Sequence, residues 1–410
     1  MKRSLSLILA LVFCFLPLAS FAEEAGTVSE DYDPLWSLAE PYGFKLGGCF
    51  GLQDMNNRVY MDFLARHFNS VTCTNETKAY SLLDQRRSQL SEDGMPRMNY
   101  TYADKMVEWA QKHGLGVRGH VLVWDASMMQ LKPWFFHEDY NEGKPFAGQE
   151  TMRARLASYI DQVITHFEEK YPGVIYCWDV VNEAIGDNVS EYSASDRRHL
   201  RTARGNASNC FLDYVGSDYV EYSFLCARNT VDRLGADIRL FYNDYNLFAS
   251  DKRSAAYALV GSIQSYARDA EGNPRSLIDG IGMQGYIGGY GEQTGCMNEN
   301  DIRDIRMSIK IYESLGMEVQ LTEMAVRNYD QSRAKEHCMF YSKLFSDVFM
   351  KINTEESAPL TAVCIWGLVD ASASRKDYDY KLKSSYGCLL SVNYRIKTCF
   401  DAIYHTLKGE

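Results

Sequence analysis

The chain has 410 residues, with 43 Lys and Arg against 54 Asp and Glu and 46% hydrophobic residues. That length and apolar share allow a large packed core. The acidic balance argues against nucleic acid or an anionic membrane surface as partner and suits a neutral substrate.

Residues 1–22, MKRSLSLILALVFCFLPLASFA, carry Lys2 and Arg3, an apolar run from Leu5 to Leu18, and a small-x-small ending before Glu23. This is the pattern of a secretory signal peptide, and the run is short for a membrane anchor. It predicts a secreted or periplasmic protein whose mature form keeps 41 Lys and Arg against 54 Asp and Glu. Residues 23–40 read as a polar N-terminal extension. No later run is long enough to span a bilayer, so no membrane anchor is expected, and a monomer is. Cysteines 49, 73, 177, 210, 226, 296, 338, 364, 388 and 399 remain after processing, with no CxxC pair to suggest zinc. Cys177, Cys226 and Cys364 lie in apolar runs and read as small core residues. Cys210, Cys296, Cys388 and Cys399 are the candidates for bridges in an oxidising compartment.

From Phe44 onward, short apolar segments alternate with longer amphipathic ones. In chain order the pattern predicts strand FKLGGCF (44–50), helix NRVYMDFLARHF, strand SVTCT (70–74), helix YADKMVEWAQKHG and strand GVRGHVLV (116–123). Helix MRARLASYIDQVITHFEEKY, strand VIYCWDVV (174–181), helix DYVEYSFLCARNTV, strand DIRLFYN (237–243) and helix RSAAYALVGSIQSYARDA follow. The series ends with strand IDGIGMQ (278–284), helix DIRDIRMSIKIYESLG, strand EVQLTE (318–323), helix SRAKEHCMFYSKLFSDVFMKI and strand PLTAVCIWG (359–367). Apolar residues recur at three and four positions within the helices, as on helices that cover one side of a sheet. The alternation predicts an α/β fold, a single (β/α)8 TIM barrel over residues 41–408. An open doubly wound sheet would normally offer a GxGxxG loop after its first strand, and GGCFG lacks that spacing. Residues 186–214 read as a long polar loop.

In a closed barrel the C-terminal ends of the strands open into one mouth. The polar residues in those places are Thr74, Asn75, Glu76 and Lys78; His120 and Asp125; Asn182 and Glu183; Asn243, Asp244 and Asn246; Gln284 and Tyr286; Glu323; and Trp366 and Asp370. Glu183 and Glu323 fall at strands four and seven, on opposite sides of the mouth. Two carboxyls across a glycosidic bond can divide acid and nucleophile work between them. The bland reading is a helix cap at Glu183 and a salt bridge at Glu323. No HExxH or GxSxG occurs, and neither a metal nor another cofactor is expected. Lys78 reads as a charged hydrogen-bond donor rather than a Schiff-base lysine. Asn75, Asn188 and Asn206 begin glycan-acceptor tripeptides, the first of them inside the mouth.

The segments FNSVTCTNETK (68–78), RGHVLVW (118–124), WDVVNEAI (178–185), LFYNDYN (240–246), DGIGMQGY (279–286), LTE (321–323) and IWGLVD (365–370), in this order, resemble glycoside hydrolase family 10. That is the family of retaining endo-β-1,4-xylanases on a β/α barrel, and the resemblance runs from about Pro41 to His405. It implies Glu183 as general acid/base, Glu323 as nucleophile, and Asn182 on the 2-hydroxyl of the sugar at the cleaved bond. It further implies Asn75, Lys78, His120 and Gln284 around the glycone sugars and Trp366 as an aromatic wall. Trp124 and Trp178 are readable either as part of the site or as core beneath it.

The chain departs from the family pattern at several positions. Asp125 stands where a His is usual, Thr74 replaces a Glu, Thr77 and Ala79 replace a Met and a Trp, Tyr286 replaces a His, and Ser374 stands where a second Trp is common. Both carboxylates remain, and Tyr286 still has a hydroxyl to donate to Glu323. The expected activity is hydrolysis of internal β-1,4 linkages of xylan, with a β-linked polysaccharide or oligosaccharide as the partner. A retaining β-glucanase or other β-glycosidase, and a carbohydrate-binding barrel with impaired turnover, are the alternatives.

Overall fold

The computed structural model describes residues 32–124, 133–205, 207–288, 297–355, 357–370 and 386–410. Its centre is built from β1 (Lys45–Phe50), β2 (Ser70–Cys73), β3 (Gly116–Gly119), β4 (Ile175–Asn182), β5 (Arg239–Tyr245), β6 (Gly280–Gln284), β7 (Glu318–Val326) and β8 (Leu360–Ile365). Each strand pairs in parallel with the next, and β8 returns to β1 with Ala362 opposite Lys45, so the sheet closes. This is the TIM barrel expected from the sequence. The strands are buried on both faces because helices lie outside and packed side chains lie inside. That double burial is why they read as continuous apolar runs rather than as alternating ones.

The outer helices are α1 (Arg58–His67), α2 (Thr101–Lys112), α3 (Gln149–Lys170), α4 (Tyr219–Leu234), α5 (Ser250–Tyr266), α6 (Glu299–Glu313), α7 (Ala334–Lys343) and α8 (Thr398–Lys408). The helical path of α7 runs on through Leu344–Phe349 and Met350–Glu355. α8 lies past the last helix predicted from sequence, yet its Cys399, Phe400, Ile403, Tyr404 and Leu407 form one buried stripe. Of the segment read as an extension, residues 32–40 are described. Leu35–Ala39 forms a short helix against α8 with Leu35 and Ala39 buried.

Inside the barrel, small and large residues alternate between neighbouring strands. A Cβ on Gly119 would lie 2.3 Å from the Trp178 ring, so this position must be glycine for the indole to fill the interior. Trp178 is therefore core.

The signal-peptide segment 1–22 lies outside the described residues, as do Asp125, Cys296 and Ser374. Among the described residues no helix is long and apolar enough to cross a membrane. Cys388 and Cys399 are free thiols, which corrects the bridging expectation for these two. Cys399 sits on the inward stripe of α8 at 1% exposure, and its Sγ donates to the Cys388 carbonyl at 3.1 Å. The described residues of segment 186–214, namely 186–205 and 207–214, carry defined pairings. Leu200 bridges to Ile185, Ala203–Arg204 pairs antiparallel with Ala207–Ser208, and Cys210–Tyr214 forms a short helix.

Candidate active site

Both glutamates are placed by local departures from regular strand geometry. β4 ends at Asn182, and Glu183 takes φ +54°, a left-handed conformation that costs a non-glycine residue about 1–2 kcal/mol. The surroundings hold it there. Its N–H donates to the Asn243 carbonyl at 2.9 Å, and buried Arg201 donates to the Glu183 carbonyl at 3.4 Å and to the Ile185 carbonyl at 2.7 Å. On β7 the register against β8 steps from Leu321 opposite Val363 to Met324 opposite Ile365, so Thr322 and Glu323 share the space of one residue. Such a bulge re-aims a side chain, here a glutamate whose carboxylate meets Asn243, Tyr286 and His120 in the mouth.

The carboxylates have unlike surroundings. Glu183 accepts from Gln284 Nε2 at 3.1 Å on Oε1, and from Trp124 Nε1 at 3.2 Å and Arg204 at 3.1 Å on Oε2. Glu323 accepts from Asn243 Nδ2 at 3.3 Å on Oε1 and from the Tyr286 hydroxyl on Oε2, while His120 Nε2 lies 3.8 Å from Oε1. Burial pushes the Glu323 carboxyl above the ordinary glutamate range; His120, Tyr286 and Lys78 pull it back, and the Glu183 charge adds to the rise. Three amides join the two acids. Gln284 Nε2 also reaches Asn182 Oδ1 at 3.1 Å, and Asn243 Nδ2 reaches the same oxygen at 2.9 Å before continuing to Glu323. The Asn182 NH2 group is buried and has no protein hydrogen-bond partner among the described residues.

Beneath these groups lies a second, fully buried chain of charges. Arg118 grips Asp179 with two bonds, of 3.0 and 2.8 Å, and also contacts Gln320. Asp179 in turn bonds His120 Nδ1 at 2.8 Å, which fixes the ring whose Nε2 faces Glu323. Burial alone would raise the Asp179 carboxyl, but Arg118 and His120 hold it below its ordinary value.

The sequence-predicted residues gather here with few exceptions. Lys78 is buried 4.9 Å over the Trp124 ring and 3.4 Å from Asn75 Oδ1. Burial lowers its pKa, against the pull of Glu323, Glu183 and Glu76. Tyr80 also donates to Asn75, at 2.6 Å. Trp366 is half-buried and stands edge-on to His120 at 6.1 Å. Trp124, unlike Trp178, belongs to the site. Others from the mouth inventory serve structure: Glu76 accepts from the Leu52 N–H at 2.8 Å, Asp244 pairs with Lys252 at 2.8 Å, Asp370 pairs with Lys397 at 2.7 Å, and Asn246 is exposed. Among the described residues no group of three or more His, Cys, Asp or Glu is arranged to hold a metal. Sequence reasoning missed Arg204 and the Arg118–Asp179 pair.

An eight-stranded barrel with two buried glutamates at the C-terminal ends of its fourth and seventh strands, joined by amides and ringed by Lys, His, Tyr and Trp, defines a two-carboxylate glycoside hydrolase. A family model for glycosyl hydrolase family 10 matches residues 35–406, and the chain belongs to that family. It is 32% identical over 332 residues to a putative endo-1,4-beta-xylanase of Caldicellulosiruptor saccharolyticus, covering 79% of this chain and 94% of that one. It is 30% identical to endo-1,4-beta-xylanase B of Butyrivibrio fibrisolvens, covering 84% of this chain but only 49% of the longer relative. An intracellular xylanase of Thermoanaerobacterium saccharolyticum, solved as a mutant in complex with xylotriose, superposes with a TM-score of 0.69 at 28% identity. That match covers 92% of this chain and 99% of the other.

Proposed function

We propose that the chain is an exported, retaining endo-β-1,4-xylanase in which Glu323 is the nucleophile and Glu183 the general acid/base. The observation that carries this reading is the pair of buried carboxylates held by different donor sets and linked through Asn182, Asn243 and Gln284. In the first step Glu323 attacks the anomeric carbon while the Glu183 proton passes to the departing oxygen. In the second, Glu183 takes a proton from the water that displaces Glu323. His120, Tyr286 and Lys78 favour the ionised Glu323 that attack requires.

The unpartnered Asn182 NH2 supplies a donor to the 2-hydroxyl, a contact that strengthens as the ring becomes oxocarbenium-like. Asn75, Lys78, His120 and Gln284 offer polar contacts to glycone hydroxyls, and Trp366 offers an apolar wall to a pyranose face. The names of the relatives support xylan as substrate, and the pattern of residues 1–22 supports export.

The test is the full chain on xylan, mixed-linkage glucan and cellulose, with the first-formed anomer read by proton NMR. The expected result is xylan cleavage with the β-anomer appearing first. Glucan cleavage without xylan turnover would overturn the substrate, and an initial α-anomer would overturn retention. Glu183→Gln is expected to lose about 10²–10⁴-fold on xylan. Unchanged turnover in both Glu183→Gln and Glu323→Gln would reject the catalytic assignment.

A further inference from the structure

We infer that Arg204 is a positioning residue for Glu183, supplied by the excursion after β4; this rests on reading Glu183 as the acid/base. Oε1 of Glu183 is held by Gln284, and Oε2 by Trp124 and Arg204, so the carboxyl plane is fixed through both oxygens. Of these three donors only Arg204 carries a charge, and a charge-assisted bond is roughly twice as strong as a neutral one.

An arginine side chain positions a partner only if its own backbone is held, and this one is. The Arg201 N–H donates to the Ala184 carbonyl at 2.8 Å, and the Gly186 N–H to the His199 carbonyl at 2.9 Å, so residues 199–201 run alongside the extension of β4. The Arg201 side chain, 1% exposed, pins the same stretch through Ile185, Asp187 and Glu191. The Thr202 N–H donates to the Glu191 carbonyl at 2.7 Å, and the Asn209 N–H to the Thr202 carbonyl at 2.9 Å, closing the base of the hairpin. Gly205 turns it at φ +61°, and Arg204 lies opposite Ala207 with its side chain 17% exposed.

Chemically, this places a fixed cation where negative charge develops. As the Glu183 O–H proton moves to the glycosidic oxygen, the C1–O bond breaks, a bond from C1 to Glu323 forms, and Glu183 becomes a carboxylate facing the guanidinium. Preorganised charge at a developing anion stabilises the transition state without reorganisation. The benefit is needed only where the departing oxygen needs the proton.

The test compares kcat/KM, which reports the first step, across aryl β-xylobiosides whose leaving phenols range from strongly to weakly acidic, together with xylan. Arg204→Gln is expected to lose about 10- to 100-fold on xylan and on the poorest phenol, and less than about threefold on dinitrophenol. Arg204→Lys is expected to recover most of the loss, and thermal melts monitor folding of both variants. An equal loss on every phenol, or none, overturns the role of Arg204. Glu183→Gln run in the same series separates the two claims. If it lacks leaving-group dependence, the acid assignment falls; if it shows the dependence and Arg204→Gln does not, only the role of Arg204 falls.

Discussion

His67 offers a sharp test of how the barrel wall is packed. It ends α1 with its ring centroid 4.9 Å from both Phe63 and Phe400, is fully buried, and has no protein hydrogen-bond partner on either nitrogen among the described residues. Burial, followed by the Arg66 charge, pushes its pKa down from 6.5 to about 3. In the unfolded chain the ring protonates near its ordinary value, so below that pH the unfolded state binds a proton that the folded state refuses. The stability at stake is present above about pH 6.5 and is lost as pH falls toward about 3. At about 1.4 kcal/mol per unit, lowering the pH from 7 to 4.5 costs about 2–3 kcal/mol through this residue. His67→Leu keeps apolar packing and removes the titration. Urea midpoints followed by tryptophan fluorescence at the two pH values should show the wild type losing about 2–3 kcal/mol more than the variant. His337, held at about 4 chiefly by burial, is common to both proteins and cancels. Parallel losses in the two proteins would refute the reasoning.

Tyr286→Phe removes a donor to Glu323 and leaves burial less opposed. Its kcat/KM on xylooligosaccharides should fall about 10- to 100-fold, with the acidic limb of the pH profile moving to higher pH because the nucleophile must be ionised. Gly282→Ala would put a Cβ 2.4 Å from Asn243 Oδ1 and push the amide that joins Asn182 to Glu323. Steady-state assays should show a loss of about tenfold or more. Gly261→Ala, where a Cβ meets nothing within 4 Å, should leave activity intact. Asp179→Asn leaves Arg118 as a buried, unpaired cation. It should cost about 3–5 kcal/mol in urea unfolding, and an unchanged midpoint would reject the pair as a structural element.

The parallel strands were legible because burial on two faces writes them as unbroken apolar runs, and the helices because only one stripe of each is buried. The apolar run of strand three continues to Val123, but the ladder stops at Gly119 and resumes at Val123–Trp124, and between them His120 faces Asp179 and Glu323. No composition signal marks that break. α8 was missed although its apolar spacing was present, since it follows the final strand and needed no further strand to justify it. Within the site, strand-end placement brought out Glu183, Asn182, Gln284, Tyr286, His120 and Lys78. It failed for Arg118 and Asp179, whose in-strand positions say nothing about which side chains meet across the barrel. Arg204 was unreadable for a different reason: only the folded path of residues 199–205 and their pairing with 207–209 decide where a polar excursion points its arginine.

The most direct test of the carboxylate assignment is covalent trapping with a dinitrophenyl 2-deoxy-2-fluoro-β-xylobioside, which releases the phenol and leaves the sugar on the attacking oxygen. Peptide mass spectrometry is expected to find a stoichiometric fluoroxylobiosyl adduct on Glu323, with none on Glu183. Phenol release with the adduct on any other residue, or turnover of xylan to an inverted product with no adduct, would contradict it.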